Sequence, residues 1–188
     1  MSAAARPSMA HSFLEVLAPD GEITFQTIAE GEQAHMKHLN RVFHGTFEEH
    51  TATLLSYNNA GAGVFYMVNR GDGVARPGRK TPRSTENVIA VRAVFVDLDG
   101  SPLEPVQQAV PAPTVIVESS PGRWHAYWKT HDCPLEEFTR RQGQLAARFR
   151  GDPSVTDLPR VMRLPGFLHR KRDPFLTRVI YPEPEKKP

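Results

Sequence analysis

The longest nearly continuous apolar run of the chain covers residues 88–99 and ends in Asp97-Leu98-Asp99-Gly100. Such a run predicts a central strand covered on both faces. Val64-Phe65-Tyr66-Met67-Val68, rich in β-branched and aromatic residues, predicts another strand. Residues 114–119 predict a third, Ser120-Pro121-Gly122 a turn, and residues 123–129 the returning strand. Alternation along that return puts Arg123, His125, Tyr127 and Lys129 on one face. Trp124, Ala126 and Trp128 take the other, which the pattern assigns to the core, leaving His125 on a polar side. Residues 175–181 predict the last strand.

Helical spacing is weak over residues 28–43 and clearer over 47–57, where Asn58-Asn59-Ala60-Gly61 closes the helix with a turn. The best helix runs over 135–150. Pro134 stands near its first turn, Glu136 and Glu137 lie early, Arg148 and Arg150 lie late, and Gly151 follows as a stop. Residues 71–86 form a basic loop containing Gly and Pro. The organisation expected is a flexible lead-in over 1–20, one domain over 21–181 and a frayed tail over 182–188. The mixed order of helices and strands predicts an α+β fold with a largely antiparallel sheet.

Composition narrows the class. A chain of 188 residues is long enough for a real core, and 39% apolar with 23% charged residues is a globular balance. The lone Cys133 excludes an intrachain disulfide and a multi-cysteine zinc site, so a reducing, cytoplasmic setting is expected. Residues 1–10 lack the apolar core of a secretory signal, and no run approaches the ~20 apolar residues of a membrane span, so no membrane partner is expected. The net charge of +2 selects no partner, but its distribution does. Between residues 140 and 178 ten Lys and Arg stand against three Asp. That excess points to a polyanionic ligand, the alternative being a solvated basic face.

Three constellations carry chemistry. Asp97 and Asp99, at i and i+2 on a strand, share a face. Two adjacent carboxylates repel when ionised, and a hard divalent cation such as Mg²⁺ relieves that repulsion. The alternative is a strand end running into an Asp-Gly turn. Ser120-Pro121-Gly122-Arg123-Trp124-His125 offers turn N–H groups, a cation and an imidazole to a phosphate, the alternative being a surface strand with a satisfied histidine. The third constellation spans residues 151–171 and holds Asp152 and Asp157, followed by Arg160, Arg163, Arg170 and Lys171. Acids beside Arg and Lys suit a site that holds metal and phosphate together.

In these residues the sequence resembles the archaeo-eukaryotic primase superfamily, closest to the plasmid and phage replication primases and primase-polymerases. The Asp-x-Asp motif of that family falls on Asp97 and Asp99, its Ser-x-His-type motif on Ser120 to His125 with a longer gap, and its acidic third motif on the segment ending at Asp157. Arg160-Val161-Met162-Arg163-Leu164-Pro165-Gly166 resembles the arginine-rich stretch of the phage and plasmid branch, where an Asn often stands at the place of His169. Asn58 to Asn69 resembles an Asn-containing segment of the same branch. The match covers about three fifths of the chain. The resemblance implies an RRM-like, mainly antiparallel sheet with flanking helices, carrying Asp97, Asp99 and His125 on one face. It implies two Mg²⁺ or Mn²⁺ ions held by the catalytic acids Asp97, Asp99 and Asp157, with Asp152 competing for the third place. Ser120, Arg123, His125, Arg160, Arg163 and Lys171 are then expected to bind the nucleoside triphosphate. Single-stranded DNA template is expected on the basic surfaces of residues 76–83 and 140–178, with Tyr57 and Tyr66 as base-stacking candidates that also suit a core. A helicase or a helical primase domain on another chain is a further expected partner.

Two other readings remain open at this point. Val94 to Ser101 also fits the first motif of haloacid-dehalogenase-like phosphatases, with Asp97 as nucleophile and Asp99 as acid/base. About 95 residues precede it, however, and no pair of acids follows a later buried strand. The other reading is a non-catalytic single-strand-binding initiator module, which keeps the basic surface and salt-dependent binding.

Overall fold

The computed structural model describes residues 4–78 and 81–182. The segment expected to be a loose lead-in contains helix α1, Pro7–Leu17. Proline suits its first turn, and Ala10, Phe13, Leu14 and Leu17 form one apolar face that is buried. Phe13 meets Tyr66 and Tyr127 edge-on, at ring-centroid distances of 5.3 and 5.7 Å. Tertiary packing therefore orders a segment that composition alone leaves loose.

The weak helical spacing over 28–43 is also overruled. Strand β1, Ile23–Ala29, and strand β2, Arg41–Gly45, pair antiparallel across two short 3₁₀ turns. Cross-strand hydrogen bonding wins over a pattern too weak to hold a helix alone. Helix α2, Phe47–Asn59, starts at a capping box in which Thr46 and Glu49 satisfy each other's backbone N–H. Strand β3 is Ala62–Met67 and β4 is Arg70–Gly71. The run expected as one strand over 88–99 is two: β5, Val88–Ala90, pairs with β4, and β6, Ala93–Leu98, joins another sheet. The break falls at Arg92, a buried cation that pairs with Asp20 and donates to the Glu22 carbonyl.

Beyond β6 come a short helix α3, Glu104–Gln107, then β7, Val115–Ser120, and β8, Arg123–Lys129, a hairpin over the expected Ser-Pro-Gly turn. Helix α4, Leu135–Phe149, ends at Arg150 in the left-handed conformation. The chain finishes with β9, Val161–Arg163, β10, Leu168–His169, β11, Phe175–Leu176, and β12, Arg178–Tyr181. Most of the tail expected to fray, residues 183–188, lies outside the described residues.

The α+β class and the antiparallel pairing hold. The strands of the described residues divide, however, into two four-stranded sheets, ordered β2-β1-β3-β9 and β12-β7-β8-β6, and two strand pairs, β4-β5 and β10-β11. The main core lies where the two sheets and α1 meet, joining Phe13, Phe25 and Tyr66 to Phe95, Val117 and Tyr127. The opposite face of the second sheet packs Val96, Leu98, Ile116, Ala126 and Trp128 against Val106 and Phe149. Strand β6 is an edge strand, and Gln142 of α4 covers it. Its amide accepts from the Phe95 N–H at 3.1 Å and donates to the Phe95 carbonyl at 2.5 Å. Among the described residues no helix is long and apolar enough to cross a membrane.

Candidate active site

Alternation on β6 turns Ala93, Phe95 and Asp97 toward the inter-sheet core. Asp97 lies at the rim of that core, with 28% of its side chain exposed. Directly across on β8 is His125, and beyond it Val117 on β7. His125 Nε2 is 3.8 Å from Asp97 Oδ1, and its Nδ1 is 3.3 Å from the Tyr127 hydroxyl. The face expected to be the polar one thus looks into the main core, and Tyr127 is fully buried there. A sheet covered on both sides has no solvent face, which is why alternation on β8 does not tell the two sides apart.

Burial and electrostatics set the protonation states. Burial, reinforced by the nearby Asp152 carboxylate, pushes Asp97 up to about 6, against the pull of Arg123, Arg160 and Arg163. Asp152 is held below the ordinary carboxylate range by the Ser154 backbone N–H, which donates to it at 2.8 Å. Burial, then the charges of Arg163 and His169, push His125 down to about 3, so the imidazole is neutral at pH 7.

Asp152 reaches Asp97 because the chain after α4 is tied to the end of β6. The Asp152 N–H donates to the Asp97 carbonyl at 2.9 Å. A Cβ on Gly151 would stand 2.1 Å from Val96 Cγ2, so only glycine permits this approach. The other two acids have cationic partners. Asp99, just past the strand end and half exposed, pairs with Arg123. Asp157 accepts from Arg160 Nε at 2.6 Å, and Arg160 also donates to the Ser154 carbonyl. The structure therefore sets Asp152, rather than Asp157, beside Asp97.

The first sheet supplies Arg163 from β9. Its guanidinium is buried and grips Glu30 bidentately, at 2.5 and 3.1 Å, over the Phe65 ring. Glu30 also accepts from the Arg170 N–H at 3.1 Å. Arg163 is thus a fixed charge behind the site rather than a free side chain. Ser120, Arg123 and Lys171 do come together: with Pro121, His169 and Phe175 they line a cleft of 360 Å³. Arg160 is engaged with Asp157.

Sequence reasoning missed Glu30 and Tyr127 as parts of the site, and it left His169 and Asn58 without a role. Asn58 is buried at the end of α2. Its amide donates to the Ala62 and Leu168 carbonyls, each at 2.8 Å, and accepts from the Leu168 N–H at 3.0 Å, fixing the strand that carries His169. Asn69 likewise donates to the Leu158 carbonyl at 2.9 Å. The Asn58-to-Asn69 resemblance was the available signal, and the structure gives it a cross-linking cause. Of the stacking candidates, Tyr66 is fully buried in the core, whereas Tyr57 is partly buried and packs on Phe43. Much of the expected basic surface is paired: Arg76 with Asp72, Arg140 and Arg141 with Glu137, and Arg178 with Glu118. Arg79 and Lys80 lie outside the described residues.

Among the described residues no three His, Cys, Asp or Glu side chains form a ready metal cage. Asp97 nevertheless fits a hard cation. Its carboxylate is largely buried, its neighbour Asp152 is ionised, and that repulsion is what a divalent ion relieves.

Solved structures share this architecture. The AEP domain of the primase-polymerase of cyanophage S-2L superposes with a TM-score of 0.72 at 20% identity, over 95% of this chain and 91% of that one. Primase RepB′ gives 0.65 at 17% identity over 94% of this chain, which spans 56% of the length of that chain. The catalytic domain of primase RepB′ in complex with initiator DNA gives 0.62 at 19% identity, over 94% and 85%. No curated protein matches. The fold is that of an archaeo-eukaryotic primase-type catalytic domain. Residues 79–184, more than half of the chain, match the RepB DNA-primase N-terminal domain, and the chain belongs to that family. Family membership sets the phosphatase reading aside and supports a primase or polymerase type of function.

Proposed function

We propose that the protein is a template-dependent nucleotidyltransferase that joins nucleotides on single-stranded DNA. The observation that carries this reading is the largely buried carboxylate of Asp97 facing neutral His125 across the strand pair. A cleft lined by Ser120, Arg123 and Lys171 completes the set of groups that the reading requires. The triphosphate is held in that cleft by Lys171 and Arg123, with Ser120 contributing a hydroxyl. His125 is uncharged, so it donates a hydrogen bond to a phosphate oxygen without adding a charge. Arg163, fixed by Glu30, adds positive potential from behind. Asp97 and Asp152, joined by Asp99 once it leaves Arg123, are the carboxylates for Mg²⁺ or Mn²⁺. Ions held there would lower the pKa of the attacking 3′-hydroxyl and relieve the charge on the pyrophosphate. The 3′-oxygen bonds to the α-phosphorus in line as the bond to the pyrophosphate oxygen breaks. The protein contributes position and electrostatics. The basic loop after His169 is the first candidate for template contact, and a helicase or helical primase domain on another chain is a suitable partner.

The test is incorporation of labelled nucleotides on single-stranded DNA with Mg²⁺ or Mn²⁺, with and without primer. Product that requires the template and disappears in Asp97→Ala is expected. Strand binding without product in any lane would leave the non-catalytic initiator module as the better account.

A further inference from the structure

Strands β10 and β11 pair Leu168 with Leu176 and His169 with Phe175, so residues 170–174 form the tip of a hairpin. The base of that tip is clamped at three points. The Arg170 N–H donates to buried Glu30 at 3.1 Å, and Arg170 Nε donates to the Asn58 carbonyl at 3.0 Å. A Cβ on Gly31, whose φ is +55°, would stand 2.5 Å from the Arg170 carbonyl oxygen, so the turn at Gly31 closes directly on the tip. The tip is thereby a fixed partition between two clefts. Lys171, Arg172 and Asp173 line the 360 Å³ cleft that also holds Ser120 and Arg123, and the same three residues line a second cleft of 650 Å³. Its other wall comes from the turn after β1, with Glu32 and Gln33, and from the end of α2, with Asn59. That volume suits a small organic ligand.

The lining selects the ligand. Lys171 and Arg172 have no ion-pair partner among the described residues, and two such cations suit a phosphate group. Glu32 and Asp173 count against a bare polyanion, which they would repel. Carboxylates accept hydrogen bonds from sugar hydroxyls and base amino groups, and the amides of Gln33 and Asn59 can both donate to and accept from the edge of a base. A nucleotide carries all of these groups. From this lining we infer that the second cleft binds a nucleotide unit by its 5′-phosphate, on Lys171 and Arg172, in addition to the nucleotide of the first cleft. A free nucleotide and the 5′-terminal nucleotide of a strand share this chemistry. The inference rests on the nucleotide-binding role proposed for the first cleft, because one hairpin tip serves both.

Gln33 and Asn59 line the second cleft and not the first, so Gln33→Glu with Asn59→Asp tests it. Both changes keep the shape of the side chain and set a negative charge where the phosphate would lie. Binding is read by calorimetry with Mg²⁺ and a deoxynucleoside triphosphate whose α,β bridge is a methylene, so that no turnover follows. It is read separately with single-stranded DNA carrying a 5′-phosphate or a 5′-hydroxyl. Two equivalents of free nucleotide in the wild type, one of them at least about tenfold weaker in the variant, assign the cleft to a free nucleotide. A preference for the 5′-phosphorylated strand that disappears in the variant assigns it to a strand end. If the folded variant matches the wild type in both titrations, the inference is overturned, and one remaining equivalent of nucleotide leaves the proposed function standing. Should the double variant not fold, either single substitution gives the same reading. A protein that shows the second equivalent but incorporates no nucleotide on any template would sink the proposed function and leave this cleft assigned.

Discussion

Replacing Asp97 by Asn should make the protein more stable at neutral pH and inactive. Burial and Asp152 raise the Asp97 pKa from 3.8 to about 6 in the folded protein. At ~1.4 kcal/mol per unit, the ionised side chain costs up to about 3 kcal/mol of folding stability above that pH. A folded-state pKa above the unfolded one means that the stabilising contribution of the protonated form is complete below about 4. It is lost as pH rises through about 6. The figure is an upper limit, since 28% of the side chain reaches solvent. Asparagine carries no charge and escapes this cost. For a domain of this size ~1 kcal/mol moves the melting temperature by about 2–4 °C, so Asp97→Asn should melt up to about 10 °C higher at pH 7.5. Near pH 4 the two should melt together. Excess Mg²⁺ should stabilise the wild type and not the variant, because only a ligand of the folded state shifts the equilibrium. Thermal melts at both pH values, with and without Mg²⁺, read all of this. A variant no more stable than the wild type at pH 7.5, or a difference that does not change with pH, would refute the reasoning.

Other consequences follow from the same geometry. Arg163→Met strands the buried Glu30 carboxylate and should cost about 3–5 kcal/mol in urea unfolding, whereas Glu30→Met with Arg163→Met together should recover most of it. Gln142→Leu leaves the Phe95 N–H and carbonyl without partners at the sheet edge. It should cost about 1–3 kcal/mol and speed hydrogen exchange at the Phe95 amide. Lys171→Ala removes a cation from the cleft and should raise the nucleotide KM about tenfold, with the melting temperature unchanged, in steady-state incorporation.

How much of this is legible in the sequence depends on how local the signal is. Strand β8 matches its expected bounds, and α2 and α4 match to within two residues, because a capping sequence, charges suited to the helix ends and a Ser-Pro-Gly turn are all local. The pairing of Asp97 with His125 is nearly legible as well, since it requires only that the two runs be neighbours. What escapes depends on distant partners. Helix α1 exists because Phe13 finds Tyr66 and Tyr127. The side on which His125 lies depends on a second sheet that no periodicity announces. Glu30 meets Arg163 across 133 residues of chain. The choice between Asp152 and Asp157 turns on the path of a loop, set by Gly151 against Val96 and by Arg160 capturing Asp157.

The central claim is that the carboxylates around Asp97 drive nucleotide joining under direction from a template. The most direct measurement is incorporation of each of the four nucleotides on each of four homopolymer single-stranded DNA templates, comparing the wild type with Asp97→Asn, whose folding is checked in parallel. The account predicts that the wild type adds only the nucleotide complementary to the template and that the folded variant adds none. Incorporation that ignores the template, or that persists in Asp97→Asn, would contradict it.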